Sequence, residues 1–261
     1  MRIITLTTDF GTGDYDTGVL HGVILGIAPD ARLVDLTHAI PAHDVRTAAI
    51  ILGRAFPYFP PGTIHMMVVD PGVGTRRRGI AARLDEQYFV GPDNGLLTLV
   101  LQQAHCAPEI VHLDRPAFWL AEVSPIFHGR DIFSPVAAHL AGGVALTELG
   151  TPIDDPVLLE IPLPQPIDRG WRGEVVQIDA FGNLATNLDK QHAAPGAQSA
   201  HVYINGAEIH GLVRTFGDGK PGEMVALFDS SGRLSVCEVN GSAARRLNAQ
   251  PGDPVELIFT P

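Results

Sequence analysis

Three residues of this chain, Asp70, Arg77 and His128, have side chains suited to handling a water molecule. Arginine stays protonated, so it cannot act as a base, but it can hold an anion. Histidine titrates near neutrality and can take a proton. A carboxylate beside them can orient the histidine, accept from a water, or do both. Together the three could position and deprotonate water. The plainer reading is an Asp–Arg surface pair and a histidine that caps a helix. Spacing alone does not separate the two.

Two further groups carry polar chemistry. Asp9 sits in Thr8-Asp9-Phe10-Gly11. A carboxylate at a strand end can take both hydroxyls of a ribose, or it can cap a helix. The lone Gly11-x-Gly13 lacks the third glycine of a dinucleotide fingerprint. The stretch Ile178 to Asn187 starts as a strand and turns through Phe181-Gly182-Asn183. Asn183 offers an amide that can pair with a purine edge, and Asp179 can bind an ammonium group. The alternative there is a decorated turn.

Eleven histidines invite a metal, yet they show no HxH, no HExxH and no carboxylate-bracketed spacing. We therefore expect no metal and no cofactor. A phosphate-binding Walker loop and a Gly-x-Ser-x-Gly nucleophile elbow are also absent from the sequence.

The elements that must position these groups follow from hydrophobic patterning. Ile3 to Thr7, Arg32 to Leu36 and Ile64 to Val69 read as strands. Tyr15 to Ile27 and the stretch from Asp44 towards Phe56 read as helices, with Asp44 as cap. The third strand runs into Asp70, a Pro71-Gly72-Val73-Gly74 turn and the arginines Arg76, Arg77 and Arg78. In open α/β sheets ligands bind at such strand ends. Gly79 to Leu84 and Gln87 to Val90 form a hairpin pattern. A short helix (Leu96 to Ala104), a strand (Glu109 to Leu113) and a helical stretch (Ile132 to Leu140) follow.

Thr151 to Gly170 is rich in proline and reads as the boundary between domains. Beyond it the pattern is strand and turn only. The fold expected is α/β. Residues 1–160 form an N-terminal, mainly parallel sheet with helices on both faces. Residues 161–170 are a linker, and 171–261 a smaller, all-β, barrel-like domain.

Composition bounds the function. The 261 residues are 45% hydrophobic, enough for a substantial core. A formal charge of −11 argues against a nucleic-acid partner. No apolar run reaches the roughly 18 residues that cross a bilayer, and Met1 to Thr5 lacks the layout of a signal peptide. Cys106 and Cys237 are too few for a disulfide framework. The expectation is a soluble, cytoplasmic protein without a membrane partner.

Four ordered motifs then carry a resemblance. Thr8-Asp9-Phe10-Gly11, Val69-Asp70-Pro71-Gly72-Val73-Gly74, Gly91-Pro92-Asp93-Asn94-Gly95-Leu96-Leu97 and Asp179-x-Phe181-Gly182-Asn183-x-x-Thr186-Asn187 span nearly the whole chain. Together they resemble the S-adenosyl-L-methionine hydroxide adenosyltransferase family, hydrolase relatives of fluorinase and chlorinase. The resemblance implies a homotrimer, each site lying between one subunit's N-terminal domain and a neighbour's C-terminal domain. It implies that water and S-adenosyl-L-methionine give adenosine and L-methionine.

The family's triad falls on Asp70, Arg77 and His128, with either Asp70 or His128 as base. The other roles implied are Asp9 for the ribose, Asn183 and Phe216 for adenine, Asp179 for the ammonium and Ser230 for the carboxylate. The fluorinase-type Ser-Arg pair reads Ser230-Ser231 here, and Ala185 replaces a tryptophan. The long halogenase insertion after the arginine loop is missing, which favours hydrolysis over halide transfer. The remaining alternatives are a halide adenosyltransferase and an adenosine- or S-adenosylmethionine-binding protein without turnover.

Overall fold

The computed structural model describes residues 2–193 and 199–259. The chain divides into two units, Met1–Leu159 and Glu160–Pro261.

In the first unit, β1 (Ile3–Thr8), β2 (Arg32–Thr37), β3 (Ile64–Val68), β4 (Gly79–Leu84), β5 (Gln87–Pro92), β6 (Glu109–His112) and β7 (Thr151–Ile153) form one sheet. Its order is β2-β1-β3-β5-β4-β6-β7. The first four in that order are parallel, and the β4, β6 and β7 pairings are antiparallel. The mainly parallel sheet expected from the alternation of strand and helix is therefore present.

Side chains alternate across a strand, and β3 shows what that does here. Met66 and Val68 enter one apolar cluster, with Leu20 and Ile24 of α1 (Asp16–Ile27) and Val136, Ala137 and Leu140 of α4 (Ser134–Ala141). Met67 and Val69 enter another, with Ala48 and Leu52 of α2 (Val45–Ala55) and Val100 of α3 (Thr98–Leu101). Helices thus cover both faces, and a strand buried on both sides is apolar along most of its length, His65 being the exception in β3. Asp44 caps α2, its carboxylate accepting from the Thr47 N–H at 2.8 Å.

Helix α3 keeps a single turn of the longer helix the pattern suggested. The stretch before α4 opens as a π-turn, Gly129–Phe133. Such widened turns recur at functional sites because they re-aim side chains.

The proline-rich stretch takes up more structure than its composition suggests. Strand β7 pairs at the sheet edge, where a proline without an N–H is tolerated. The N–H groups of Val157 and Leu159 donate to Asp93 Oδ1 and Thr98 Oγ1, both at 2.8 Å. Further on, β8 (Gln165–Ile167) pairs with β9 (Gly170–Ile178).

The second unit continues with β10 (Leu184–Asp189), β11 (His201–Ile204), β12 (Ala207–His210), β13 (Met224–Phe228), β14 (Arg233–Glu238) and β15 (Pro254–Ile258). The order is β12-β11-β15-β9-β10-β14-β13. Nine-residue β9 pairs with β15 through its first half and with β10 through its second, so the sheet coils on itself. A bridge between Leu212 and Ala226 brings the two ends of that path together in a nearly closed barrel. The expectation of strand and turn only needs one correction: Ser242 caps a five-residue helix, α5 (Ala243–Leu247). One helical turn is too short to leave a periodic pattern, and the preceding Asn240-Gly241 reads as a hairpin turn.

His65 of β3 shows how this core treats a histidine. Its Nδ1 meets Thr5 Oγ1 at 2.8 Å and its Nε2 meets Gln87 Oε1 at 2.7 Å, while the ring stacks on Phe89. Burial pushes it down to about 4. The unfolded chain then binds one more proton than the folded one between about pH 6.5 and pH 4. Stability is complete above pH 6.5 and falls on acidification through that window, by on the order of 3 kcal/mol. Urea unfolding at pH 7 and pH 4 should show this loss, and His65→Gln should reduce it.

Candidate active site

Strands β1 and β3 are adjacent and parallel, with Thr8 opposite Val68. Asp9 and Asp70 therefore emerge side by side beyond the same edge of the sheet. Asn94 donates to the Val69 carbonyl at 2.9 Å and holds the backbone that leads into Asp70. Arg78 fixes the other end of the arginine loop. It pairs with Asp93 at 2.6 Å and with Asp155 at 2.8 Å. Between these anchors Gly74 has φ +75, and a Cβ there would lie 2.4 Å from the Pro125 carbonyl oxygen. Glycine is needed for both reasons. That close approach sets the loop against the segment leading to His128.

Arg77 joins the other two residues of the predicted trio, Asp70 and His128. Its Nε donates to Asp70 Oδ1 at 3.0 Å and its Nη2 to Asp70 Oδ2 at 2.5 Å. Nη2 also lies 2.9 Å from His128 Nδ1. The guanidinium sits over the Phe133 ring, and the Asp70 and Arg77 side chains are only 6% and 8% exposed. A guanidinium has donors only, so His128 Nδ1 must be the acceptor. The neutral ring therefore carries its proton on Nε2. Burial lowers the His128 pKa, and the positive charge of Arg77 acts in the same direction; Asp70 and Asp131 oppose them. The imidazole is thus held neutral at pH 7.

Asp9, Phe10, His43, Asp70, Phe127 and His128 line a cleft of about 270 Å³. Asp9 is oriented by the His43 N–H, which donates to its Oδ2 at 2.8 Å. Phe10 and Phe127 pack edge to face at 5.8 Å as the apolar part of the wall.

The second unit has its own cleft, of about 620 Å³, lined by Phe181, Asn183, Phe216, Glu238, Asn240 and Arg245. The Phe181-Gly182-Asn183 turn that forms its edge is built by Asp179. Asp179 Oδ1 accepts the N–H groups of Phe181 and Asn183 at 2.9 Å, and its Oδ2 accepts Asn183 Nδ2 at 2.8 Å. This sets the Asn183 amide, leaving its carbonyl oxygen and one N–H for a ligand. Gly182 has φ +85, and a Cβ would lie 2.0 Å from Ser242 Oγ. The turn is thereby locked against the start of α5. Phe181 and Phe216 are 77% and 45% exposed, so neither ring is packed in the core of the unit.

Comparison with known proteins bears on both clefts. Residues 4–150 match the SAM hydroxide adenosyltransferase N-terminal domain, and residues 173–256 match the C-terminal domain of the same description. The chain belongs to the SAM hydroxide adenosyltransferase family. It is 41% identical, over 97% of each chain, to a protein of Salinispora tropica named (R)-S-adenosyl-L-methionine hydrolase. A fluorinase of Actinoplanes sp. is a more distant relative, 28% identical over 96% of this chain and 95% of the other. Among solved structures, an uncharacterized conserved protein from Thermotoga maritima superposes with a TM-score of 0.92 at 34% identity. That match covers 99% of this chain and all of the other.

Against the pattern expected for this family, Asp9, Asp70 and His128 share the first cleft, with Arg77 behind two of them. Asn183 and Phe216 share the second, while Asp179 lies beneath the turn. Ser230 is exposed in the turn after β13 and is not among the residues lining that cleft. Sequence reasoning did not single out Phe10, His43 or Phe127 in the first cleft, nor Glu238, Asn240 and Arg245 in the second. Phe10 stood inside a quoted motif. His43 and Arg245 carried no signal, because each reaches its cleft through a turn or a one-turn helix.

The geometry sets a sign for the His128 titration. Followed by NMR, the ring should titrate below 6.5. Arg77→Gln, which removes a positive neighbour, should move the midpoint up. Asp70→Asn, which removes a negative one, should move it down.

Proposed function

We propose that this chain hydrolyses S-adenosyl-L-methionine to adenosine and L-methionine. The observation that carries the reading is that Asp70 and His128 line one cleft with Asp9 and are joined from behind by Arg77, in a chain of this family. The 41% identity to a named (R)-S-adenosyl-L-methionine hydrolase supports it.

The reaction is an in-line displacement at the ribose C5′ carbon. The water oxygen forms a bond to C5′ as the C5′–S bond breaks, and its electron pair leaves with sulfur as a neutral thioether. The leaving group needs no acid, since the sulfonium charge is discharged by departure. Catalysis is then positioning, exclusion of bulk water and removal of one proton. The attacking oxygen becomes strongly acidic as its bond to carbon forms, so a carboxylate is basic enough to take that proton.

Asp70 suits this role. Each of its oxygens spends one lone pair on Arg77 and keeps another. His128, with its proton on Nε2, donates to the water and fixes its direction. Arg77 holds both groups in register. Of the two bases open at the level of sequence, we assign Asp70.

The remaining roles belong to the same proposal. Asp9 takes the ribose hydroxyls. Asn183 pairs with the adenine edge, and Phe216 packs on its face. Asp179 draws the ammonium group, with Ser230 at the carboxylate. We further propose a homotrimer in which the first cleft of one subunit meets the second cleft of a neighbour. Each cleft carries only half of the groups that this substrate calls for. The unpaired Cys106 and Cys237 are in keeping with a reducing, cytoplasmic setting.

Incubation with S-adenosyl-L-methionine in ¹⁸O-labelled water, without added halide, should release methionine and adenosine labelled at the 5′ hydroxyl. Absence of both products overturns the proposal. Asp70→Ala and His128→Ala should each lower kcat by roughly 10²–10⁴-fold, with far smaller changes in KM.

The shared site has its own test. His128→Ala and Asn183→Ala proteins, each impaired alone, should regain activity when their subunits are mixed and exchanged. No recovery after demonstrated exchange would place both halves of the site on one subunit.

A further inference from the structure

Away from the cleft, three metal-ligating side chains converge between α1 and β2. His21 Nε2 lies 2.7 Å from Asp35 Oδ1, and His38 Nε2 lies 3.0 Å from the same oxygen. The ligand atoms of all three lie within 4.8 Å of one another. His38 is only 6% exposed, and its buried Nε2 has Asp35 Oδ1 at 3.0 Å as its polar neighbour, an ion-pair contact and not a directed hydrogen bond. Its other ring nitrogen, Nδ1, meets Thr8 Oγ1 at 2.9 Å. When Nδ1 donates its proton to Thr8, the Nε2 lone pair faces a carboxylate. That arrangement is repulsive unless a cation lies between them.

We propose that His21, Asp35 and His38 bind a divalent transition-metal ion of the zinc type. The ligands are the two Nε2 atoms and one Asp35 oxygen, with solvent completing the shell. Two imidazoles and a carboxylate suit zinc and its neighbours, and all-oxygen cations poorly. Donors at about 2.0–2.1 Å from a tetrahedral ion stand about 3.3 Å apart. The two separations from Asp35 Oδ1, 2.7 and 3.0 Å, need only a few tenths of an ångström of opening, and the two ring nitrogens lie within 4.8 Å of each other. His21 and Asp35 are 29% and 43% exposed, which provides the entry path and the open position. The contact from His38 Nδ1 to Thr8 is the outer-shell partner that fixes a ligating imidazole.

The ion would act as a structural staple beneath the Asp9 loop. Thr8 precedes Asp9, and the His38 carbonyl accepts the Gly11 N–H at 2.8 Å. The loop is therefore gripped on both sides by the residue that the metal orders. A second cluster, His201, Glu208 and His210, carries no such argument. None of its three residues is buried, and its Glu208 carboxylate already takes contacts from His201 and the Tyr203 hydroxyl, at 2.6 and 2.7 Å.

The test uses the full chain, stripped with a chelator and dialysed. Calorimetric titration with Zn²⁺ should reveal one saturable site, and Co²⁺ should give visible absorption from a low-coordinate ion. Both signals should be lost in His21→Ala and in Asp35→Asn and kept in Glu208→Gln. Zn²⁺ should raise the Tm of the wild type but not of His21→Ala. Failure to bind Zn²⁺, binding that survives both His21→Ala and Asp35→Asn, or binding abolished by Glu208→Gln would overturn the proposal.

Discussion

A single guanidinium organises the first cleft. Arg77 forks onto both oxygens of Asp70 and reaches His128 Nδ1 with the same nitrogen, nearly out of contact with solvent. Burying an ion pair costs desolvation, and such a pair holds only when its geometry and remaining hydrogen bonds are good. The chain meets that condition: the third nitrogen of the fork, Nη1, donates to the Arg78 carbonyl, and the Phe133 ring packs against the charged plane. What the arrangement secures is chemical definition. Asp70 stays oriented, and His128 keeps one tautomer.

Everything around Arg77 serves to hold that geometry. The parallel register of β1 and β3 places Asp9 next to Asp70. The Gly74 approach to Pro125 and the π-turn before α4 bring His128 to the arginine. Arg78, Asp93 and Asp155 pin the far side of the loop to the turn after β5 and to the proline-rich segment. The Gly91-to-Leu97 motif thus acts through support. Asn94 and Asp93 hold backbone and arginine, and at Gly95 a Cβ would meet the Leu159 side chain at 2.5 Å.

The second unit solves a different problem with the same economy. Asp179 spends three hydrogen bonds on shaping a four-residue turn, so that Asn183 presents a preset amide and Phe181 an exposed ring. Preorganisation of this kind lowers the entropy cost of binding a flat heterocycle. The cleft has aromatic faces and one oriented amide, whereas the cleft of the first unit has carboxylates and an imidazole.

Much of this was legible in the residues. The alternation of apolar segments with caps and turns dictates a sheet covered on both faces, because a strand as nearly apolar as Ile64 to Val69 must be buried twice over. The strand-and-hairpin signals after residue 170 dictate a β unit. Asp70 and Arg77 are seven residues apart on one loop, so their pairing is local enough to read. His128 is 51 residues further along, and only the packing of the segment from Pro125 to Phe133 against the arginine loop decides that its Nδ1, and not its Nε2, faces Arg77. The same holds for His21, Asp35 and His38. Their spacing fits no metal pattern, since α1, β2 and the turn beyond it contribute one residue each, and a contact between elements leaves no period in the sequence. The sequence by itself determined which chemical groups are available and which elements carry them. Tertiary structure alone decided which of those groups meet, and in which protonation state, because both depend on distances and burial that arise only when separate elements pack.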